Sequence, residues 1–249
     1  MDLKTYYQNA DLFLLPNSNR RQYKFRLGKD RFFVVRDMIK NVELLRHWLV
    51  KFLPLDAYVS RAAYIDPTVV GPKVYKTRAG FNLSNNLFLY CDAVIEIDNT
   101  NFENLLNAWE FMKAKGYKDF LFVQTFRGWH YWIFDWRKDI EVLEHPKLRE
   151  NKFSQEIKKL CNELRMAKIS FDENTTKDTR RILRIPESVH SKGVICHTYH
   201  KPTQSNPVSL TDLQEMTQIH WLGGGVKSEA VPNSATVISP SSVNFEGAL

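Results

Sequence analysis

One stretch of the chain places phosphate-holding residue types behind an acid. Asp172 opens it, Arg180, Arg181, Arg184, Ser188, His190 and Lys192 follow, and Gly193 closes it. A carboxylate ligates a divalent cation, and guanidinium, ammonium, imidazole and hydroxyl groups hold the phosphate oxygens that such a cation bridges. Alone, the stretch could be a solvated basic loop. Two further segments complete the same chemistry. Residues 93–99 form an apolar, β-branched run that reads as a buried strand. Glu96 and Asp98 stand at i and i+2 in it and share one strand face. Adjacent carboxylates repel each other unless a cation sits between them. The plainer reading is the solvent face of an edge strand, with a turn starting at Asp98-Asn99. Residues 122–134 read as strand, turn, strand, with Gly128 permitting the reversal and aromatic strand formers after it. Arg127 and His130 flank that turn, where both can face a ligand. The plainer reading of His130 is a hydrogen-bonded core histidine.

Hydrophobic periodicity supplies elements to carry these groups. Residues 31–36 read as a strand. Residues 37–52 read as an amphipathic helix with Met38, Val42, Leu45 and Leu49 on one face and Pro54 as a stop. Residues 87–98 contain the strand with the acids. Residues 101–115 read as a helix, with Leu105, Leu106, Trp109 and Met112 at helical spacing and Gly116 as its cap. Residues 119–124 and 129–135 read as an antiparallel hairpin, 154–166 as a helix and 194–199 as a short returning strand. Strand, helix, strand, strand is the seed of a recognition-motif-like α/β sheet. From Gly223-Gly224-Gly225 onward Ser, Pro, Val and Asn replace charge, which divides the chain into a domain over residues 1–222 and a flexible tail over 223–249.

Composition narrows the class. A chain of 249 residues with 43% hydrophobic residues can bury a core as one domain. Its formal charge of +7 suits a polyanionic partner. No apolar run matches a membrane span and no signal-peptide pattern opens the chain. Cys91, Cys161 and Cys196 are too scattered for a disulfide framework, which points to a reducing cytoplasm. The cluster Arg20, Arg21, Lys24, Arg26 and Lys29 offers nucleic-acid contacts. On an extended segment Arg20, Lys24 and Arg26 share one face, and Arg21, Tyr23 and Phe25 the other. Trp129, Tyr131, Trp132 and Trp136 could stack bases, although such a run more often packs a core. His190, Cys196, His197 and His200 fit no common zinc-finger spacing, so structural zinc is not expected.

Taken together, these segments resemble the archaeo-eukaryotic primase superfamily, most closely the catalytic small subunit of DNA primase and the primase-polymerases. Its first motif is two acids separated by one apolar residue at a strand end, here Glu96-Ile97-Asp98. The second is Ser-Gly-x-Arg-Gly-x-His before an apolar strand. Arg127, Gly128 and His130 match it, with Gln124-Thr125 in place of Ser-Gly. The third is an Asp followed, after a polar stretch, by Arg-x-Pro-x-Ser-x-His-x-Lys-x-Gly. Asp172, Arg184, Pro186, Ser188, His190 and Lys192 match it, with Gly193 directly after the lysine. Tyr6-Tyr7, residues 19–25 and residues 63–67 are similar to segments that precede the first motif in the family, so the resemblance extends to His200. A glutamate stands at the first acid, and the family's cysteine-rich zinc module and helical insertion are missing, as in a minimal form.

The resemblance implies an α/β (α+β) fold: a primase-type catalytic core with a mixed, recognition-motif-like sheet flanked by helices. It implies a nucleotidyltransferase, a DNA primase or DNA-directed RNA or DNA polymerase. Such an enzyme synthesises primers of RNA, DNA or both on single-stranded DNA by a two-metal mechanism. Glu96, Asp98 and Asp172 would be the catalytic acids and hold Mg²⁺ or Mn²⁺. Arg127, His130, Arg184, Ser188, His190 and Lys192 would bind the NTP or dNTP. Implied partners are a single-stranded DNA template and a primase large subunit or a fused or associated replication protein, with no membrane and a cytoplasmic, nucleoid-associated location. Two other classes stay open: a non-catalytic primase-fold subunit that binds nucleic acid, and a metal-dependent nuclease or phosphoesterase.

Overall fold

The computed structural model describes residues 1–69, 88–98, 102–136, 146–203 and 209–210, except the side chains of Val69 and Asp98. Among them the chain runs α1 (Leu3–Asn9), β1 (Arg21–Arg26), β2 (Phe32–Val34), α2 (Val42–Phe52), β3 (Asp56–Tyr64), β4 (Phe88–Cys91), β5 (Ala93–Asp98), α3 (Phe102–Ala114), β6 (Phe120–Gln124), β7 (Gly128–Ile133), α4 (Pro146–Met166), α5 (Glu173–Lys177), β8 (Ile182–Arg184) and β9 (Thr198–Tyr199). The expected tail over 223–249 lies outside the described residues.

Two antiparallel sheets organise these elements. In the first, β3 pairs with β1 along one edge, and β8 and β4 follow one another along its other edge. The second sheet has the order β5-β7-β6-β9. Period-two alternation then builds two cores. Ile95 and Ile97 of β5, with Trp129 and Tyr131 of β7, pack toward Leu105 and Met112 of α3 and Phe153 and Ile157 of α4. Val94 and Trp132 face the other way and join Phe25, Val59 and Leu183 of the first sheet and Leu45 and Leu49 of α2. The second sheet is therefore covered on both faces, by helices on one side and by the first sheet on the other.

The run over 87–98 contains the strand with the acids, as expected, and a second strand before it, the two separated at Asp92. There the chain passes from the first sheet to the second. Asp92 is fully buried and ion-paired with the equally buried Arg21 of β1. The Arg61 guanidinium donates to Asp92 O at 2.9 Å and to Thr176 O at 2.7 Å, tying the crossing to the end of α5. Removing one partner of such a buried pair costs about 3–5 kcal/mol, because the other charge is left uncompensated. Arg21 thus belongs to the fold and not to a template groove. Arg26 pairs with Asp56, and Arg20 donates to Ile65 O, so the N-terminal cluster is largely spent within the protein.

Other elements shift for local reasons. Helix α2 starts at Val42 because the Asn41 side chain caps it, accepting the Leu44 N–H at 2.8 Å, so Met38 precedes the helix. Leu53 ends it with φ 41°, before Pro54. Helix α4 begins at Pro146, earlier than residue 154, because its first turns are polar and Pro suits the first helical position. Of the expected strand over 194–199, only Thr198–Tyr199 is a ladder strand, with Ile195 bridged singly to Val189. Trp129, Tyr131, Trp132 and Trp136 are all buried, so they pack cores and offer no free stacking face.

Candidate active site

A cavity of about 400 Å³ opens between the two sheets. The second sheet contributes Glu96, His130 and the β6–β7 turn, Thr125 to Arg127. The first contributes Tyr58, Ile182, Leu183 and Arg184, and the segment after β8 adds His190 and Lys192. Five of the six residues expected to hold a nucleotide, Arg127, His130, Arg184, His190 and Lys192, therefore meet on one wall system with Glu96.

Register explains the first pair. Glu96 and His130 are directly opposite in the β5–β7 ladder, on the face that carries Val94 and Trp132. His130 Nε2 lies 3.7 Å from Glu96 Oε1. Burial works to raise the Glu96 carboxyl, but the neighbouring His130, Thr175 and Arg181 outweigh it and hold it below the ordinary value. Glu96 is thus an ionised carboxylate at the cavity. Its Oε2 is buried and takes no hydrogen bond from the protein, which leaves one carboxylate oxygen open to a hard cation; among the described residues no group of three or more His, Cys, Asp or Glu side chains is gathered there.

Asp172 reaches Glu96 through the backbone. The Asp172 N–H donates to Glu96 O at 2.8 Å, and the Glu96 N–H donates to Thr176 Oγ1 at 3.3 Å, so α5 is stitched to β5. The Asp172 carboxylate caps α5: Oδ1 accepts the Thr175 N–H at 3.0 Å and Oδ2 the Thr175 hydroxyl at 3.1 Å. It does not line the cavity. Asp98 pairs with Gly128 in the same ladder, two positions beyond Glu96, and its side chain lies outside the described residues.

Arg184 is held on two sides. It ion-pairs with Asp56 and lies 4.5 Å over the Tyr58 ring. The segment beyond it folds back as a tight reversal over residues 190–193. His190 N–H donates to Val194 O at 2.7 Å and Gly193 N–H to His190 O at 2.8 Å, with Gly193 at φ 76°. That places Lys192 and His190 on the cavity wall. His190 Nδ1 accepts the Lys192 N–H at 3.0 Å, so a neutral ring carries its proton on Nε2. Burial first, then the Arg184 charge, lowers its pKa to about 4.

Ser188 differs from its expected place. It is fully buried, and its hydroxyl donates to Ile185 O at 2.7 Å. It does not line the cavity. The reversal after Pro186 turns it inward, where it supports the loop and cannot reach a phosphate in this arrangement. Cys196 is fully buried in the core. His197 pairs with Glu187.

Three contributors, Tyr58, Phe126 and Asp56, were not singled out in the sequence, and Arg181 stood there only within the basic run. Tyr58 and Phe126 line the cavity, and Phe126 lies against the His190 ring with centroids 5.5 Å apart. Arg181 lines it as well and acts on the Glu96 charge. Asp56 anchors Arg184 from behind. A carboxylate opening an otherwise apolar run was the available signal for Asp56, whereas Tyr58 reads as an ordinary strand residue.

Two antiparallel sheets with a cationic, carboxylate-bearing cavity between them form a mixed α/β fold that is shared with a solved polymerase domain. The particular likeness is to the polymerase domain of Ligase D from Mycobacterium tuberculosis, solved in complex with DNA. The TM-score is 0.54 at 12% identity, over 88% of this chain and 88% of that one. At that identity the likeness is one of fold. No protein-family model matches the chain, and no curated protein does. No described helix is long and apolar enough to cross a membrane.

Proposed function

We infer that the chain is a metal-dependent nucleotidyltransferase that joins nucleotides on a single-stranded DNA template, as a primase or primase-polymerase does. One observation carries this reading. An ionised Glu96 with an unpartnered buried oxygen faces, in one cavity, Arg127, Arg184, His190 and Lys192, drawn from three separate chain segments. The fold shared with a polymerase domain that was solved with DNA supports it.

The chemistry follows from charge. A triphosphate entering the cavity meets guanidinium groups of Arg127 and Arg184 and the ammonium of Lys192. Neutral His190 donates from Nε2, which orients a phosphate oxygen without adding charge. Glu96, with Asp98 and Asp172 from the same strand end and the stitched helix, would hold the divalent cations. Bound there, Mg²⁺ or Mn²⁺ would neutralise the charge that builds on the attacking and leaving oxygens. Phosphoryl transfer of this kind needs positioning and electrostatic stabilisation more than covalent help from the protein. His130 keeps Glu96 ionised and oriented from the neighbouring strand.

A second reading has one specific observation in its favour. Both oxygens of the Asp172 carboxylate already serve the α5 cap, as suits a subunit that binds nucleic acid without catalysis. Incubation with a single-stranded DNA template and labelled NTPs or dNTPs, with Mg²⁺ and separately with Mn²⁺, separates the two. Labelled product that requires the metal supports synthesis. Template binding without product in any combination supports the second reading.

A further inference from the structure

Asp56, the first residue of β3, is fully buried although it is a carboxylate. Its partners come from three segments. Arg26, opposite it in the β1–β3 register, pairs with Oδ2. Arg184 of β8 pairs with Oδ1. The Ser191 N–H, inside the reversal over residues 190–193, donates to Oδ1 at 3.0 Å. Burial works to raise the Asp56 carboxyl, but Ser191, Arg184 and Arg26 outweigh it and hold the group below its ordinary value. The residue is therefore a buried anion at neutral pH.

Asp56 does not line the cavity, whereas Arg184, His190 and Lys192 do. One carboxylate thus grips, from the protein side, both the strand arginine and the turn that present cationic groups to the cavity. An arginine side chain is flexible when free, and its planar fork presents five N–H donors. Asp56 occupies part of that fork and the Tyr58 ring lies against its face. Arg184 itself lines the cavity that an anion would enter. The same carboxylate fixes the turn at Ser191, between His190 and Lys192.

We propose that Asp56 is a positioning residue of the cavity: it fixes Arg184 and the turn over residues 190–193 in the geometry that receives a triphosphate, without touching the triphosphate itself. This inference rests on reading the cavity as a triphosphate site. A plain fold staple would use Asp56 and Arg26 alike, since they pair with each other. A positioning residue would not, because Arg26 lies outside the cavity wall and Arg184 on it.

Calorimetric titration of the full chain with inorganic tripolyphosphate tests this. Asp56→Asn is expected to weaken binding about tenfold, the cost of ordering one freed rotamer-rich side chain and its loop at the moment of binding. Arg26→Met is expected to bind as the native protein does, because Asp56 keeps its cavity-side partners. In an Arg184→Gln background, Asp56→Asn should cost clearly less than in the native protein, since part of its effect passes through Arg184. Native affinity in Asp56→Asn, or fully additive losses in the double variant, would overturn the proposal. If Asp56→Asn does not fold, Arg26→Met decides alone: an affinity loss there identifies a fold staple and overturns it. Failure of the native protein to bind tripolyphosphate would instead overturn the triphosphate reading of the cavity, and this inference with it.

Discussion

Glu96 and His130 face each other across the β5–β7 ladder, with His130 Nε2 3.7 Å from Glu96 Oε1 and Glu96 Oε2 left without a protein partner. The pair joins the first and second sequence motifs by strand register alone. A carboxylate so placed should serve charge and not packing. Glu96→Gln, nearly isosteric, is expected to leave the melting temperature close to native. It should lower nucleotide incorporation by roughly 100-fold or more, as loss of a metal-held charge in a transition state does. Steady-state incorporation kinetics with a parallel thermal melt check both halves.

Arg184 and His130 should act on nucleotide rather than template. Arg184→Ala removes a cavity guanidinium held against Asp56 and Tyr58. It is expected to raise the nucleotide KM or lower kcat by about tenfold, with His130→Ala acting in the same direction. The Kd for single-stranded DNA, measured separately by fluorescence anisotropy, should change little. A collapse of template affinity with nucleotide KM intact would reverse the assignment.

Ser188→Ala tests the loop. The Ser188 hydroxyl is buried and donates to Ile185 O. Its loss should cost about 1 kcal/mol of stability, the worth of one ordinary hydrogen bond. The nucleotide KM should stay as in the native protein. Chemical denaturation and kinetics on the same preparation give both values, and a raised KM with native stability would return Ser188 to the cavity.

His190 gives a pH signature. Its pKa falls from 6.5 in the unfolded chain to about 4 in the folded one, because burial and Arg184 oppose its charge. Between those values the unfolded state binds the extra proton, so stability falls as pH drops from 6.5 toward 4 and this contribution levels off below. His197, raised by its hydrogen bond to Glu187, pulls the other way. The comparison must therefore be a difference. His190→Gln should show a shallower loss of melting temperature than the native protein over that window. Parallel curves would remove His190 from this account.

Much of the site was legible because its chemistry is local in sequence. The i, i+2 acids, the Arg-Gly-x-His turn and the Arg184 to Lys192 run each announce themselves by residue type. The βαββ order of β5, α3, β6 and β7 was legible too, since each element keeps its own period. What stayed hidden is long-range. Nothing local in the run over 87–98 marks Asp92 as a crossing between sheets. The crossing depends on Arg21 and Arg61, which approach it only in the fold. Arg21 and Arg26 look like solvated cations until their buried carboxylates are seen. Ser188 looks like a phosphate ligand until the reversal after Pro186 turns it inward.

On the proposed function, metal and triphosphate meet in the cavity between the sheets. The direct measurement is anomalous diffraction from crystals grown with Mn²⁺ and a non-hydrolysable nucleoside triphosphate. Manganese peaks are expected at the Glu96 carboxylate, with triphosphate density against Arg184, His190 and Lys192. Manganese or nucleotide bound only elsewhere, with Glu96 Oε2 still unligated, would contradict it.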